Sequence, residues 1–230
     1  MKLYLRAIPP ILLLLLAAST ASADPVTLQL TSGGTDTMGG VYVGQYSFTE
    51  TVNGQTVTLG MLCDDYGDDV SIGEQWAAVT SSLPTAGTTT TGLQFSSTST
   101  LSQYEEAAWL AQQIYALGPV TQSNAATIGY LQYALWDIFT PGASSGLSAD
   151  QQTQVAYWLQ QAEDNYNCPT CNYSNVVIFT PTANGQPQNS WPQEYIWVDP
   201  PANAPEPGSL VLLAAGLFSL VAFRRRLLPD

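Results

Sequence analysis

The sequence predicts an α+β domain in which an antiparallel, barrel-like sheet is combined with a grouped three-helix subdomain. Two observations support this prediction. Short segments that alternate polar and apolar residues occupy both ends of the body, residues 24–204, and three segments with helical apolar spacing lie between them. Residues 1–23 and 205–230 carry apolar runs with flanking basic residues, and we expect them to lie outside this single domain.

Alternation and β-branched or aromatic content predict five strands: Val26–Leu30, Val41–Val52, Gln55–Cys63, Val176–Phe179 and Tyr195–Val198. Asn53-Gly54 suits the two-residue type I′ turn of a hairpin. Because strand side chains alternate between faces, Val57, Leu59, Met61 and Cys63 share the apolar face of the third strand. The Ser/Thr/Gly-rich stretch Ser81–Thr100 predicts a long loop or irregular edge.

Start and stop signals bound three predicted helices. The first has a capping box at Ser102 and Glu105 and ends at Gly118-Pro119; the second begins at Ser123 or Asn124 and ends before Pro141; the third is capped by Ser148 and Gln151.

The five basic residues all lie near the chain ends, whereas all but two of the 18 acidic residues lie in the body. The body therefore has no Lys, Arg or His. This composition excludes nucleic-acid binding, which needs basic side chains, and every mechanism that needs histidine. We expect no cofactor and no enzymatic turnover.

The N-terminal residues have the pattern of a signal peptide. Lys2 and Arg6 precede the apolar run Ile8–Ala18, and Ala21-Ser22-Ala23 offers small residues to a signal peptidase. This pattern predicts export into an oxidising compartment.

The C-terminal residues contain three parts in order: Pro205-Glu206-Pro207, the uncharged run Ser209–Phe223 and the cluster Arg224-Arg225-Arg226. The pattern resembles the PEP-CTERM sorting tail of Gram-negative bacteria. The resemblance implies transient insertion of a transmembrane helix into the inner membrane and recognition by an exosortase. It also implies cleavage near the Pro-Glu-Pro motif and delivery to the cell surface or the medium. An ordinary C-terminal membrane anchor is the alternative.

Three cysteines remain to be assigned. Cys168 and Cys171 are close enough in sequence to form a disulfide in an oxidising compartment, which leaves Cys63 without a partner. A redox site or a zinc site is the alternative for the pair. The segment lacks the thioredoxin-like βαβ context of a redox site, and the body has no histidine to complete a zinc site.

Gln132 lies inside the apolar stripe of the second helix, beside Trp136, where its amide must find partners. The segments around Cys63 (Leu-Cys-Asp) and Gln132 (Leu-Gln-Tyr-Ala-Leu-Trp) resemble the Cys and Gln-x-Ala-Ile-Trp motifs of bacterial surface thioester domains. Leu135 replaces the commoner Ile, and Tyr42–Tyr46 resembles that family's Tyr-x-Gly strand. The resemblance implies an internal thioester between Cys63 and Gln132; a hydrogen-bonded core glutamine is the alternative.

An acidic run follows Cys63. Asp64, Asp65, Asp68 and Asp69 are calcium candidates through their oxygen ligands, although their spacing is not that of an EF-hand, and an exposed acidic turn is the alternative.

Together these patterns predict an exported surface or matrix protein that attaches covalently to a polymer or surface nucleophile, an amine or a hydroxyl. The alternative is a non-reactive biofilm matrix or carbohydrate-binding scaffold with the same export signals.

Overall fold

The computed structural model describes residues 25–52, 54–83, 92–96, 99–183, 186–187 and 192–199. Its elements follow in chain order: β1 Val26–Ser32, β2 Asp36–Met38, β3 Val41–Val43, β4 Tyr46–Val52, β5 Gln55–Cys63, β6 Gln75–Ser82, α1 Leu101–Ala116, α2 Ala125–Phe139, a 3-10 turn Ala143–Gly146, α3 Ala149–Asn165, β7 Val176–Ala183, β8 Gln186–Pro187 and β9 Tyr195–Val198.

Six antiparallel strands close into a barrel in the order β6-β1-β4-β5-β9-β7, and β7 pairs with β6 to complete the circle. The strand β8 continues the sheet beside β7, and β2 and β3 form a separate two-stranded ribbon. The three helices enter the chain between β6 and β7. The predicted α+β class is therefore confirmed.

Alternating strand residues supply two cores. Side chains such as Phe48, Met61 and Tyr195 fill the barrel, whereas their neighbours Leu62 and Ile196 point outward and pack against the helices. The predicted apolar face of β5 is confirmed for Leu59, Met61 and Cys63, all of which belong to the barrel core. It is wrong for Val57, which is 49% exposed near the start of the strand.

The predicted strand Val41–Val52 is wrong as a single element, because the chain turns between β3 and β4. Gly44 has a φ of +80°, a left-handed conformation that favours glycine, and a Cβ there would meet the Thr35 hydroxyl at 2.9 Å. The turn separates β3, which pairs with β2, from β4, which joins the barrel.

The helix boundaries largely agree with the sequence signals. Helix α2 begins after Asn124, and α3 carries the predicted capping box of Ser148 and Gln151. The capping box predicted for α1 is wrong: Thr100 and Gln103 form the reciprocal hydrogen bonds, two residues earlier than Ser102 and Glu105. The loop predicted from Ser81 begins later, since β6 runs to Ser82; residues 84–91 and 97–98 lie outside the described part.

Cys168 and Cys171 form a disulfide just beyond α3, with an S–S distance of 2.12 Å. The bond closes a loop of only a few residues, so it restricts the unfolded chain little. We expect Cys168→Ser with Cys171→Ser to lower the free energy of unfolding by no more than about 2 kcal/mol, measured by urea denaturation. Wild-type protein with and without reductant is the control, and failure of the double variant to fold would contradict this expectation.

Candidate functional site

Cys63 ends β5, where its backbone pairs with Tyr195 of β9. Its side chain is fully buried in the barrel core, and its thiol is free. The Sγ–H donates to the backbone oxygen of Asp65 at 3.0 Å. The thiol therefore lies at the end of the barrel where the acidic run begins.

Gln132 lies on α2, the central helix of the three. Buried side chains such as Tyr133, Ala134 and Ile138 extend beyond the predicted apolar stripe, because α1, α3 and the β2–β3 ribbon all pack against this helix. Gln132 is 0% exposed, and its Nε2 donates to the backbone oxygen of Cys63 at 2.7 Å. Its Oε1 has no hydrogen-bond partner among the described residues.

The structure thus brings Cys63 and Gln132 together across 69 residues of sequence. Burial raises the pKa of the Cys63 thiol well above its ordinary value, and the neighbouring carboxyls of Asp64 and Asp65 raise it further. The backbone of Asp65 and, to a smaller extent, the nearby indole of Trp136 partly oppose this increase in pKa. At neutral pH the thiol is therefore protonated.

A buried acid pair, which the sequence analysis missed, lies next to this thiol. Asp64 and Glu194 are both 0% exposed. The Glu194 carboxylate accepts from the Tyr104 hydroxyl at 2.9 Å, from the Gln94 backbone N–H at 2.8 Å and from the Thr180 hydroxyl. One glutamate therefore links the barrel, helix α1 and the segment before that helix.

Burial raises the pKa of both carboxyls, and the charge of Glu194 raises the pKa of Asp64 further. No basic side chain exists in the body to neutralise them. The interaction between the two carboxyls raises the pKa of Asp64 and lowers that of Glu194, so Asp64 holds the proton. Neither carboxyl oxygen of Asp64 has a hydrogen-bond partner of normal geometry among the described residues. The absence of cations was the one sequence signal for such a pair, since a buried carboxyl without a cation must be protonated or hydrogen-bonded.

The calcium candidates do not converge. Asp64 turns toward Glu194, whereas the Oδ1 of Asp65 accepts from the backbone N–H groups of Gly67 and Asp68 in a local turn. Among the residues that the structure describes, no group of three or more His, Cys, Asp or Glu side chains is placed to hold a metal ion.

A cavity of about 410 Å³ lies beside the acidic run. Tyr42, Tyr66 and Trp136 contribute aromatic surface to it, and Asp68 and Asp69 contribute carboxylates. The ring of Tyr66 lies 5.1 Å from that of Trp136, which is 2% exposed. These two aromatic side chains therefore belong to the wall of the cavity on the side of α2.

The other tryptophans are spread over the two cores. Trp76 and Trp197 pack in or against the barrel core, and Trp109 and Trp158 pack against the helices. Trp191 lies outside the described residues. These four tryptophans are divided between the two cores and therefore do not form a common stacking platform.

Comparison with known protein families adds one finding. Residues 203–226 match the PEP-CTERM protein-sorting motif, in agreement with the resemblance of the tail. This motif indicates exosortase-dependent export to the cell surface or the extracellular space, with exosortase as the processing partner. Searches of curated proteins and of solved structures found no match to the chain.

Both segments with targeting patterns lie outside the described residues, including the predicted signal peptide 1–23 and the apolar run Ser209–Phe223. Within the part of the chain that is described, the helices do not combine the length and apolar character needed to cross a membrane.

Proposed function

We propose that this exported protein forms covalent attachments at the cell surface or in the extracellular matrix through an internal thioester between Cys63 and Gln132. The observation that carries the proposal is the position of the Gln132 carboxamide. It is fully buried against the backbone of Cys63, its Oε1 is without a partner among the described residues, and the same cysteine supplies a free thiol.

The chemistry balances without an external reagent. The Cys63 sulfur attacks the side-chain carbonyl carbon of Gln132, the C–N bond breaks, and the thiol proton leaves with the amide nitrogen as ammonia. A partner amine or hydroxyl then attacks the thioester carbonyl. The C–S bond breaks, the Cys63 thiol is regenerated, and an amide or ester joins the partner to residue 132.

Burial and composition both support this use of the site. Cys63 and Gln132 are inaccessible to water, which protects a thioester from hydrolysis. The body contains no lysine, so no internal ε-amine competes with the partner.

The intact mass of freshly purified mature protein, with and without methylamine, tests the proposal. We expect a mass lower by one ammonia, after allowance for the disulfide, and an increase by one methylamine on treatment. Cys63→Ala and Gln132→Ala should abolish both effects. Gln112→Ala is a matched control, because Gln112 is also a helical glutamine that donates to a backbone oxygen but lies away from the thiol. Full mass and no adduct in the wild-type protein would refute the thioester.

Access to the thioester should depend on Tyr66, whose ring packs against Trp136 and is 37% exposed. We expect Tyr66→Ala to increase the rate of methylamine incorporation, because truncation opens the wall of the cavity. Time-resolved mass spectrometry gives the rate, with Tyr157→Ala on α3 as a control for loss of an exposed tyrosine. An unchanged rate in Tyr66→Ala would show that the nucleophile enters by another path.

A non-reactive matrix or carbohydrate-binding scaffold is the second candidate. The observation that favours it is the raised pKa of Cys63, because a protonated thiol is a weak nucleophile. In that case the Gln132 amide only forms a hydrogen bond that holds α2 against the end of β5.

A further inference from the structure

The cavity beside the acidic run combines two kinds of surface. Tyr42 and Tyr66 are 51% and 37% exposed, so their rings are available to a ligand at its mouth. Trp136 lies deeper, and its indole N–H has no acceptor of normal hydrogen-bond geometry in the described part of the chain. A volume of about 410 Å³ is within the range of small-molecule sites.

All of the charged side chains that line the cavity are acidic. Asp65, Asp68 and Asp69 line it, and the whole body lacks Lys, Arg and His. No side chain of the body can neutralise these carboxylates, so the field favours a cation and disfavours anionic polymers. Both carboxylates and aromatic faces attract an ammonium group, the latter by cation–π interaction.

The aromatic surface adds a preference for a ring-shaped ligand. The exposed rings of Tyr42 and Tyr66 give the mouth of the cavity two aromatic surfaces, and the buried ring of Trp136 packs against Tyr66 with centroids 5.1 Å apart. A sugar ring presents an apolar C–H face to such side chains, and its hydroxyls can donate to the neighbouring carboxylates. A flexible alkylammonium chain would use the charge but less of this flat surface.

We propose that this cavity binds an amino sugar with a free amino group, as part of an extracellular polysaccharide. The ammonium is held by Asp68 and Asp69, and the sugar ring stacks on Tyr42 and Tyr66. This binding is non-covalent and does not depend on the thioester, although the cavity lies beside residues that surround Cys63.

Binding is tested with mature protein that carries Cys63→Ala, so that no covalent reaction contributes. Calorimetric titrations use a β-1,4-linked glucosamine pentamer, its fully N-acetylated form, cellopentaose and a pentalysine peptide. We expect the glucosamine pentamer to bind at least tenfold more tightly than each of the other three, and to bind more weakly at high salt. Comparison with the acetylated form tests whether binding needs the ammonium group, and comparison with the peptide tests whether it needs the sugar ring.

Variants locate the site. Tyr42→Ala and Asp69→Asn, both at exposed positions, should each weaken binding of the glucosamine pentamer at least fivefold. Tyr157→Ala and Asp164→Asn, exposed positions on α3, are the matched controls and should bind like the parent. Equal affinity for the acetylated pentamer or for pentalysine, absence of binding, or unchanged binding in the two cavity variants would overturn the proposal. The mass measurement on wild-type protein tests the thioester separately, so the two proposals can fail independently.

Discussion

Glu194→Ala is expected to lower the free energy of unfolding by about 3–5 kcal/mol. The substitution leaves three buried donors without their acceptor, namely the Tyr104 hydroxyl, the Thr180 hydroxyl and the Gln94 backbone N–H, and each unpaired group costs about 1–3 kcal/mol. Such a loss is a large part of the stability of an ordinary domain. Urea denaturation near pH 5 measures it.

Glu194→Gln separates the loss of the acceptor from the loss of the charge, and Glu163→Ala is the control for removal of an acid. Glu194→Gln keeps one acceptor oxygen at the same place, so it should cost less than Glu194→Ala. Glu163→Ala removes an exposed acid from α3 and should change stability by no more than about 0.5 kcal/mol. Equal losses in Glu194→Gln and Glu194→Ala would show that the three donors do not depend on this carboxylate.

The same acid pair determines how stability varies with pH. Burial raises the pKa of Asp64 and Glu194 in the folded state, so the folded protein holds a proton that the unfolded chain releases. Stability should therefore be greatest below the ordinary carboxyl range of about 4 and fall as the pH rises through the raised values. Asp64→Asn should flatten this dependence, because asparagine stays neutral. A stability that rises from pH 4 to pH 8 would contradict the assignment.

Phe48→Ala should cost about 3–5 kcal/mol, because it empties the middle of the barrel. Phe48 is fully buried, and its ring lies 4.5 Å from that of Tyr195 and 5.8 Å from that of Trp76. Neither neighbour can fill the cavity easily, since each is fixed on a different strand of a closed sheet. Thermal and urea unfolding measure the loss.

Val52→Ala on the same strand is the control for Phe48→Ala. Val52 is exposed at the end of β4, so its truncation should cost less than about 1 kcal/mol. If the two variants were equally stable, Phe48 would not be packed as the structure describes.

Local sequence patterns predicted most elements but not the closure of the barrel. The strand β6 pairs with both β1 and β7, yet its sequence around Trp76 and Ala78 is rich in alanine and serine. These residues have low strand propensity, so β6 gave no clear signal. Closure also depends on pairing between β6 and β7, which the three helices separate in sequence.

The candidate site could likewise be predicted only in part. The alternation of β5 placed Cys63 on an apolar face, and helical spacing placed Gln132 among buried residues, so both positions could be predicted. Glu194 could not, because its contact with Asp64 follows from the register in which Cys63 pairs with Tyr195. A register between strands so distant in sequence is decided by the whole fold, which local patterns do not contain.

The place of β9 limits how the exported protein can be processed. This strand lies between β5 and β7, and the next residue, Asp199, donates its backbone N–H to Asn175 at 2.8 Å. A cut before Val198 would remove part of a central strand and leave its two neighbours with unpaired backbone groups, and a cut after Val198 would remove the hydrogen bond from Asp199 to Asn175. A mature protein with a closed barrel therefore retains Asp199, four residues before the sorting motif begins at 203. Four residues span at most about 15 Å, so any surface anchor formed at the motif would hold the barrel very close to the envelope.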